Sequence, residues 1–355
     1  MYLSIQAFHV WRKILNFENI LQKDLKQKKL SHNLLSSKLM NKIFPFAFGI
    51  LFTVLAHAQQ IPLFTQYRDM QGVINPASIN YDFFTDHHKV SFGASVRKQW
   101  TDITGSPATQ ILRGEYFGAD RTGVALLAGG YLMNDQTGPT GFTGVYGRVG
   151  GVITQDPEYS GLSFALSGGA VQYRVNTSEL KLRDPNDIRA LTDRMQIYPD
   201  LGIGAFYYQH LVGALADDYF YEGLSVPQIL ALDLNFPTDN NGRFSTRRVR
   251  HFYGNVGWYH FVGEGSFIEP SVWVKYVPGA PLNVDVNARY QMNGSFWVGL
   301  GTSLQGNIHV ETGILIGKSL GNENTFKIGY GFDYSFQSYG SYVGSTHELN
   351  LGFSF

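Results

Sequence analysis

The sequence predicts an all-β fold: a transmembrane antiparallel β-barrel of about 14 strands, of the outer-membrane type. The first observation behind this prediction is the alternation of apolar and polar side chains in runs of roughly ten residues, whereas strands of soluble sheets are usually nearer five or six. The second is a composition rich in glycine (40), phenylalanine (26) and tyrosine (21). The third is a final run that alternates up to an aromatic last residue, Phe355.

The alternation is clearest in three adjacent runs between residues 266 and 304. One face carries Ile268, Pro270, Val272, Val274, Tyr276, Leu282, Val284, Val286, Ala288, Tyr290, Phe296, Val298 and Leu300. The opposite face carries Glu269, Ser271, Trp273, Lys275, Asn283, Asp285, Asn287, Arg289, Trp297, Gly299 and Gly301. Apolar side chains toward lipid and polar side chains toward a lumen are the pattern of a barrel wall.

The start of the chain has the pattern of an export signal. Residues 40–58 combine Met40-Asn-Lys, an apolar stretch at 43–55 and an A-x-A cleavage site ending at Ala58, so we expect a signal peptide and a mature chain from Gln59 or Gln60. Since a signal peptide normally opens a chain, we expect residues 1–39 to be an over-called upstream extension. A long amphipathic n-region is the alternative, and N-terminal sequencing of the exported protein distinguishes the two.

The mature chain divides into a lead-in and a barrel. Residues 59–87 are polar and turn-rich and predict a periplasmic lead-in segment, for which a place in the barrel mouth is one option. Residues 88–355 predict the outer-membrane β-barrel. Its strands are expected at 88–100, 107–117, 122–132, 141–153, 161–175, 200–210, 218–227, 248–262, 266–276, 282–290, 296–304, 305–318, 325–337 and 346–355. Their number is even, as in bacterial barrels.

The connections predict an orientation. If the N-terminus is periplasmic, the odd-numbered connections face outward, and they include the two longest, 175–199 and 227–247. The even-numbered ones include the short turns 119–121, 263–265, 293–294 and 321–324. Long outer loops and short periplasmic turns are typical of such barrels. The last run, with Leu349, Leu351, Phe353 and Phe355 alternating, resembles the signal that outer-membrane assembly machinery recognises.

Composition and motifs argue against several other classes. Acidic and basic residues balance at 28 each, so nothing indicates a nucleic-acid partner. Cysteine is absent, which excludes disulfides, thiolate metal sites, a cysteine nucleophile and a lipoprotein anchor. The sequence has no uninterrupted run of 18 apolar residues, so we do not expect a membrane-spanning helix. The segment 313–319 resembles a phosphate loop, but its glycines are one residue too close, and a strand followed by a turn is the better interpretation.

Three groups of polar residues are considered as sites. His87 and His88 follow an aspartate, and His347 precedes Glu348, but adjacent strand residues point to opposite faces, so the second pair cannot share a site. The basic cluster Arg243, Arg247, Arg248 and Arg250 predicts either contact with lipopolysaccharide phosphates or an acidic partner, or an ordinary solvated loop. Asp184, Asp187 and Asp193 lack the spacing of a known calcium loop. No catalytic, cofactor-binding or metal-binding residue is assigned, and the partner-binding residues are unknown.

The inward charges indicate how the lumen is filled. They are Glu269, Lys275, Asp285, Arg289, Glu311, Lys327 and Asp333. Opposite charges on neighbouring strands pair with each other rather than line a wide channel of one sign. We therefore expect a lumen filled at least partly by side chains, loops or a partner segment.

An ordered set of short motifs resembles the PorP/SprF family of outer-membrane proteins, which is linked to the type IX secretion system of Bacteroidetes. The motifs are PLFTQY at 62–67, VINPA at 73–77, RKQW at 97–100, GSPAT at 105–109, GLSVP at 223–227, RHFY at 250–253, EPS at 269–271, VKY at 274–276, GAP at 279–281, DVN at 285–287, FWVG at 296–299, IGY at 328–330, FDY at 332–334 and GSTHE at 344–348. Thr346 departs from the pattern, which has a serine directly before the histidine.

The resemblance implies a non-enzymatic role in protein secretion. Members of the family support secretion or surface attachment of particular cargo, including gliding adhesins, together with the periplasmic components of the system. We therefore expect a secreted adhesin or other cargo, type IX components and outer-membrane lipid as partners, and no cofactor. A substrate-specific outer-membrane channel or transporter is the alternative, and a barrel hydrolase is a further one.

Overall fold

A computed structural model describes residues 63–118, 123–176, 194–211, 218–237, 243–263, 265–317, 321 and 323–355. The expectations for the signal peptide at 40–58 and for residues 1–39 and 59–62 lie outside these residues. So do Asp184, Asp187 and Asp193. All described residues belong to one unit, His57–Phe355.

Fourteen antiparallel strands of the described chain close into a barrel, as predicted. The barrel strands are β1 Val90–Lys98, β2 Ala108–Phe117, β3 Gly123–Thr137, β4 Thr140–Thr154, β5 Ser160–Val175, β6 Arg194–His210, β7 Tyr219–Val226, β10 Phe252–Gly263, β11 Ser266–Tyr276, β12 Asn283–Gln291, β13 Phe296–Ser303, β14 Asn307–Ile316, β15 Thr325–Ser335 and β16 Thr346–Ser354. A two-stranded sheet, β8 Asp233–Pro237 and β9 Arg243–Arg247, lies between β7 and β10 in the chain. Pairing of β1 with β16 closes the barrel.

The wall separates an apolar exterior from a polar interior by residue parity. On β5, Leu162, Phe164 and Leu166 are exposed on the outside, while Ser163 and Ser167 between and beyond them are buried. The same alternation places the predicted apolar and polar faces of β11, β12 and β13 outside and inside, respectively. The outward face is therefore suited to hydrocarbon and the inward face to polar partners.

Three strand boundaries differ from the prediction by four or more residues. β3 continues to Thr137, β6 begins at Arg194 rather than at 200, and β10 begins at Phe252 rather than at 248. Pro199 made the start of β6 look like a loop. In the structure Pro199 lies in the part of β6 that pairs with β5 alone, since β7 pairs only from Ile203 onward. An edge position of this kind tolerates a proline.

The connections define two ends of the barrel. The loop-side end carries the connections β1–β2, β3–β4, β5–β6, β7–β10, β11–β12, β13–β14 and β15–β16. The terminal-side end carries the start of β1, the end of β16 and the remaining connections; there the amide of Lys89 donates to the carbonyl of Phe355 over 3.1 Å. The long connection β7–β10, expected to be a loop, instead contains the hairpin β8–β9.

The chain before β1 runs through the barrel from end to end. Leu63 and Phe64 lie at the loop-side end beside Trp100 and Tyr339. At the other end, His88 Nε2 lies 2.7 Å from the carbonyl oxygen of Glu323, in the β14–β15 connection. We call Phe64–Ile79 the lumen segment, because every residue in it is buried.

Helices in the described chain are short. They are α1 Gln71–Ile74, α2 Tyr81–Asp86 and α3 Gly340–Val343, the first two before β1 and the third in the β15–β16 connection. The side chain of Asn80 accepts a hydrogen bond from the Asp82 amide at the start of α2. None of the helices in the described residues is long and apolar enough to cross a bilayer.

Glycines on the inner wall make room for the lumen segment. A Cβ atom at Gly204 would overlap the side-chain oxygen of Asn75, which itself accepts from the Ala77 amide over 2.9 Å. A Cβ atom at Gly331 would lie 2.9 Å from Cβ of Thr65. The absence of side chains at these wall positions allows the two backbones to approach closely.

We expect Gly204→Val to destabilise the barrel by about 1–3 kcal/mol, the usual cost of overpacking. Gly147→Val is the matched control, because Gly147 is an exposed wall glycine with no other atom within 4 Å of a Cβ placed there. Urea unfolding of both variants in the same detergent measures the difference. Equal stability of the two variants would show that the close approach at Gly204 has no energetic weight.

Candidate functional site

The lumen segment carries polar and charged residues although it is buried on all sides. Arg68 is only 2% exposed, and Gln66, Asp69 and Asn75 are similarly buried. A buried charge is tolerated only when it is paired and hydrogen-bonded. The charges of the segment must therefore find partners on the inner wall.

Arg68 bonds two carboxylates that belong to different strands of the wall. Its Nε donates to Glu269 of β11, and its Nη1 donates to Glu311 of β14 over 2.7 Å. Its Nη2 donates to Ser271 Oγ over 3.0 Å. One arginine of the lumen segment thus bonds two acidic residues of the wall, with a planar group that can reach both at once.

Acidic residues of the same region pair with cations of the wall. Lys327 Nζ of β15 lies 3.6 Å from Asp69 and donates to Asp82 over 2.5 Å. Arg113 of β2 lies 3.6 Å from Asp69 on another side. Charge complementarity therefore ties the chain before β1 to β2 and β15 as well as to β11 and β14.

A third charged group lies near the loop-side end. Arg97 and Glu348 are register partners on β1 and β16, and Arg97 Nη1 donates to Glu348 over 3.0 Å. Arg97 Nη2 donates to Asp333 over 2.5 Å. The amides of Thr65 and Gln66 donate to Glu348 over 2.8 and 3.1 Å. This group anchors the beginning of the lumen segment.

Backbone groups of the lumen segment are bonded further along the barrel. Arg148 Nη1 of β4 donates to the carbonyls of Pro76 and Ser78 over 2.9 and 2.8 Å. Ser225 of β7 donates to the carbonyl of Ile74 over 2.8 Å, and Asn75 donates to the carbonyl of Ala205 over 3.0 Å. The segment is held by hydrogen bonds along its length rather than at one point.

Two apolar clusters complete the filling. One includes Phe64, Tyr67 and Met70 of the segment with Tyr146 and Trp273 of the wall, and the rings of Tyr67 and Trp273 stack at 5.2 Å. The other surrounds α2 near the terminal-side end and contains Ala77, Ile79, Tyr81, Phe83, Phe84, Phe206, Tyr208 and Tyr221. The prediction of a filled lumen is confirmed in the described residues.

The seven predicted inward charges are all buried on the inner wall, as expected. Lys275 and Asp285 pair with each other across β11 and β12 over 2.5 Å. Others pair with residues outside the predicted inward set: Glu269 and Glu311 with Arg68, Lys327 with Asp69 and Asp82, and Asp333 with Arg97. The adjacent opposite charges Arg68 and Asp69, within a stretch of aromatic and apolar residues, were a usable signal for a buried site.

A cavity of about 400 Å³ remains at the loop-side end; we call it the mouth cavity. It is lined by the first residues of the lumen segment, by the ends of several strands and by the β15–β16 connection. Its charged and aromatic lining residues are Phe64, Arg97, Trp100, Asp135, Lys275, Asp285, His309, Asp333, Tyr334 and Tyr339. The cavity combines polar groups with apolar rims, as binding sites commonly do.

The hairpin β8–β9 packs beside this cavity. Leu234 of β8 is buried with Phe142 and Tyr198 of the wall. The Arg248 guanidinium lies 5.7 Å from the ring centroids of the same two residues. Burial, aided by Arg248, lowers the pKa of His251 to about 4, so this imidazole is neutral at physiological pH. The hairpin therefore covers one side of the loop-side end, and the mouth cavity remains open.

The described side chains of the predicted basic cluster lie in different environments. Arg248 is buried against the aromatic residues, whereas Arg247 is exposed and lies 3.7 Å from Asp233. Arg250 donates to the carbonyl of Ile229 over 2.8 Å. The hairpin separates these side chains because it folds the loop onto the barrel mouth.

The considered histidines lie apart from one another. His88 contacts Ser354 and the Glu323 carbonyl at the terminal-side end. Glu348 points inward, while His347 points outward with Nε2 2.9 Å from Ser345 Oγ and Nδ1 2.6 Å from the Tyr330 hydroxyl. His347 and Glu348 therefore face opposite sides, as predicted. The serine–histidine pair has a tyrosine where a hydrolase triad has a carboxylate.

Two further points from the sequence concern a metal ion and the segment that resembles a phosphate loop. In the described residues no group of three or more histidine, aspartate or glutamate side chains is arranged to hold a metal ion. Gly313 lies within β14, and Gly317 lies just after that strand with φ of 145°, so the strand part of this interpretation is confirmed, while residues 318 and 319 lie outside the described residues.

The fold and the occupied lumen define an outer-membrane β-barrel whose own N-terminal chain fills its interior. The protein belongs to the PorP/SprF family: its sequence matches the type IX secretion system membrane protein PorP/SprF over residues 56–353. It is accordingly a membrane protein of the type IX secretion system in the bacterial outer membrane.

Solved outer-membrane barrels show similar folds at low identity. A Pseudomonas aeruginosa FadL homologue is 8% identical with a TM-score of 0.44, covering 75% of this chain and 89% of its own. The toluene transporter TodX of P. putida is 9% identical with a TM-score of 0.40, covering 80% and 92%. Salmonella typhi OmpF is 11% identical with a TM-score of 0.33, covering 76% and 98%. No curated protein matches the sequence significantly.

Proposed function

We propose that this barrel is a non-enzymatic docking protein, which supports type IX secretion and surface attachment of a specific cargo such as a gliding adhesin. Family membership supports the secretion role. The observation that carries the docking role is the distribution of space in the barrel. The lumen is occupied by buried residues from Phe64 to Ile79, and the described cavity of the inner wall opens at the loop-side end.

A barrel of this kind presents its binding surface on a rigid frame. Closure of β1 on β16 joins the fourteen described strands of the wall into one continuous barrel, so the loop-side connections start from a rigid frame. We propose that residues 40–58 direct export, that the mature chain begins at Gln59 or Gln60, and that the loop-side end faces outward. Cargo, other type IX components and lipid would then meet the barrel at its mouth and outer wall.

The channel alternative requires displacement of the lumen segment. That movement would break the bonds of Arg68 to Glu269 and Glu311 and those of Lys327 to the aspartates. Each broken contact leaves a charge in need of a new partner. The docking function needs no such movement, and for this reason we favour it.

The test is a gentle detergent pull-down of the tagged full-length protein from outer membranes, with the co-purifying proteins identified. We expect a large secreted protein or type IX components in near-stoichiometric amounts. Tyr339→Ala, in the mouth-cavity lining, should reduce cargo recovery severalfold. Tyr342→Ala is the matched control, since Tyr342 is close in sequence and 79% exposed but does not line the cavity. A solitary barrel, or equal cargo recovery from both variants, contradicts docking at this cavity.

A further inference from the structure

The mouth cavity has more acidic than basic side chains. Its lining contains the carboxylates Asp135, Asp285 and Asp333, against the cations Arg97 and Lys275. Arg97 also bonds Glu348, which lies beneath the lining, so four carboxylates stand against two cations. The excess favours a positively charged occupant.

The hydrogen-bonding state of the lining points to the same occupant. Lys275 bonds Asp285 through Oδ2, and Asp285 Oδ1 is left buried without a hydrogen-bond partner in a residue that is 4% exposed. His309 Nδ1 lies 2.9 Å from a carboxylate oxygen of Asp333. Because a carboxylate accepts, Nδ1 donates in this contact, while the buried Nε2 has no hydrogen-bond partner.

Asp285 Oδ1 is a carboxylate oxygen, an acceptor that only a donor group can satisfy. One lining donor, Arg97 Nε, is also without a partner, but the two terminal nitrogens of Arg97 already bond Glu348 and Asp333. An unmade hydrogen bond at a buried acceptor has a free-energy cost, so the site gains most from a ligand with several N–H donors. Ammonium and guanidinium groups have several such donors and a positive charge.

We propose that the mouth cavity is a recognition site for a basic side chain, a lysine ammonium or arginine guanidinium, that bonds Asp285 Oδ1. This inference rests on the proposed docking function and specifies its chemistry: the cargo inserts a lysine or arginine into the cavity. Lys275, held by Asp285 Oδ2 and placed 4.3 Å from the Trp273 ring centroid, leaves Asp285 Oδ1 without a partner. Trp100 and Tyr339 then contact the stem of the inserted side chain.

The test uses the purified full-length protein in detergent and three capped pentapeptides that differ only at the central residue. The central residues are lysine, the neutral and nearly isosteric norleucine, and glutamate, and binding is measured by calorimetric titration. We expect the lysine peptide to bind about tenfold or more tightly than the norleucine peptide, as a charge-assisted hydrogen bond implies. The glutamate peptide should not bind.

Three variants test whether the lysine peptide binds in the mouth cavity. Asp285→Asn should reduce lysine-peptide affinity about tenfold while leaving the norleucine peptide unchanged. Glu222→Gln is the matched control, because it removes one acidic charge from an exposed residue that does not line this cavity. Asn283→Asp, which adds a carboxylate to the lining, should strengthen lysine-peptide binding and guards against a folding defect in the first variant. Equal loss in Asp285→Asn and Glu222→Gln overturns the proposal.

Two further outcomes separate this proposal from the docking function. If cargo co-purifies but the lysine and norleucine peptides bind equally, the basic-side-chain site is wrong and docking stands. If the lysine peptide binds selectively but no cargo co-purifies, the site stands and docking is wrong. Spermidine, a free polyamine, is titrated in parallel: binding tighter than the lysine peptide's overturns recognition of a side chain in favour of a small soluble cation.

Discussion

Replacing Arg68 by methionine is expected to destabilise the barrel by about 3–5 kcal/mol, the cost of removing one partner from a buried ion pair. The substitution leaves Glu269 and Glu311, both almost fully buried, without their shared cation. Burial of an unpaired carboxylate is unfavourable because the surroundings cannot replace its lost hydration. Urea unfolding followed by tryptophan fluorescence in a fixed detergent measures the loss.

Two controls separate loss of pairing from loss of packing. The triple variant Arg68→Met, Glu269→Gln and Glu311→Gln should recover most of the stability, because no charge is then left unpaired. Arg247→Met removes an arginine that is 73% exposed and lies 3.7 Å from an exposed aspartate, and should change stability by less than about 1 kcal/mol. Equal destabilisation by Arg68→Met and Arg247→Met, or no recovery in the triple variant, contradicts the role of Arg68.

The wall was predictable because its pattern is local. Side-chain parity within each strand is enough to place Glu269, Lys275 and Asp285 inside the barrel, and pairing of successive strands then follows from short turns. The pairing of Lys275 with Asp285 is a contact between adjacent strands and follows from the same reasoning. For this part of the molecule the sequence contains the needed information within a few tens of residues.

The partners from the N-terminal chain were not predictable in the same way. Arg68 and Glu311 are separated by 243 positions, and no periodicity in either neighbourhood indicates the contact. Residues 59–87 look like a loop because they are rich in polar residues and contain Pro62 and Pro76, while the burial of Phe64–Ile79 depends on the wall that surrounds this segment. The β8–β9 hairpin was missed for a related reason, since the burial of Leu234 depends on distant aromatic residues.

The full-length protein should show no large, stable conductance in planar bilayers. The lumen segment is buried along its whole length, and the two apolar clusters lie against it. Deleting Phe64–Asp86, which removes the lumen segment together with α2, should open a lumen with a large ion conductance, because the inner wall then faces water. A variant that replaces the same residues by a glycine–serine stretch of equal length should also conduct, since it keeps the chain but removes the side chains that fill the barrel.

The deletion differs from Arg68→Met in its effect on the charged side chains of the wall. In the deletion variant, Glu269, Glu311 and Lys327 become hydrated. Leaving them unpaired therefore costs far less free energy than it does in a barrel that stays filled. The deleted barrel can therefore fold and conduct even though Arg68→Met is strongly destabilised. A large steady conductance from the unmodified protein would show instead that the segment leaves the lumen in the membrane, and the channel alternative would then replace docking as the better account.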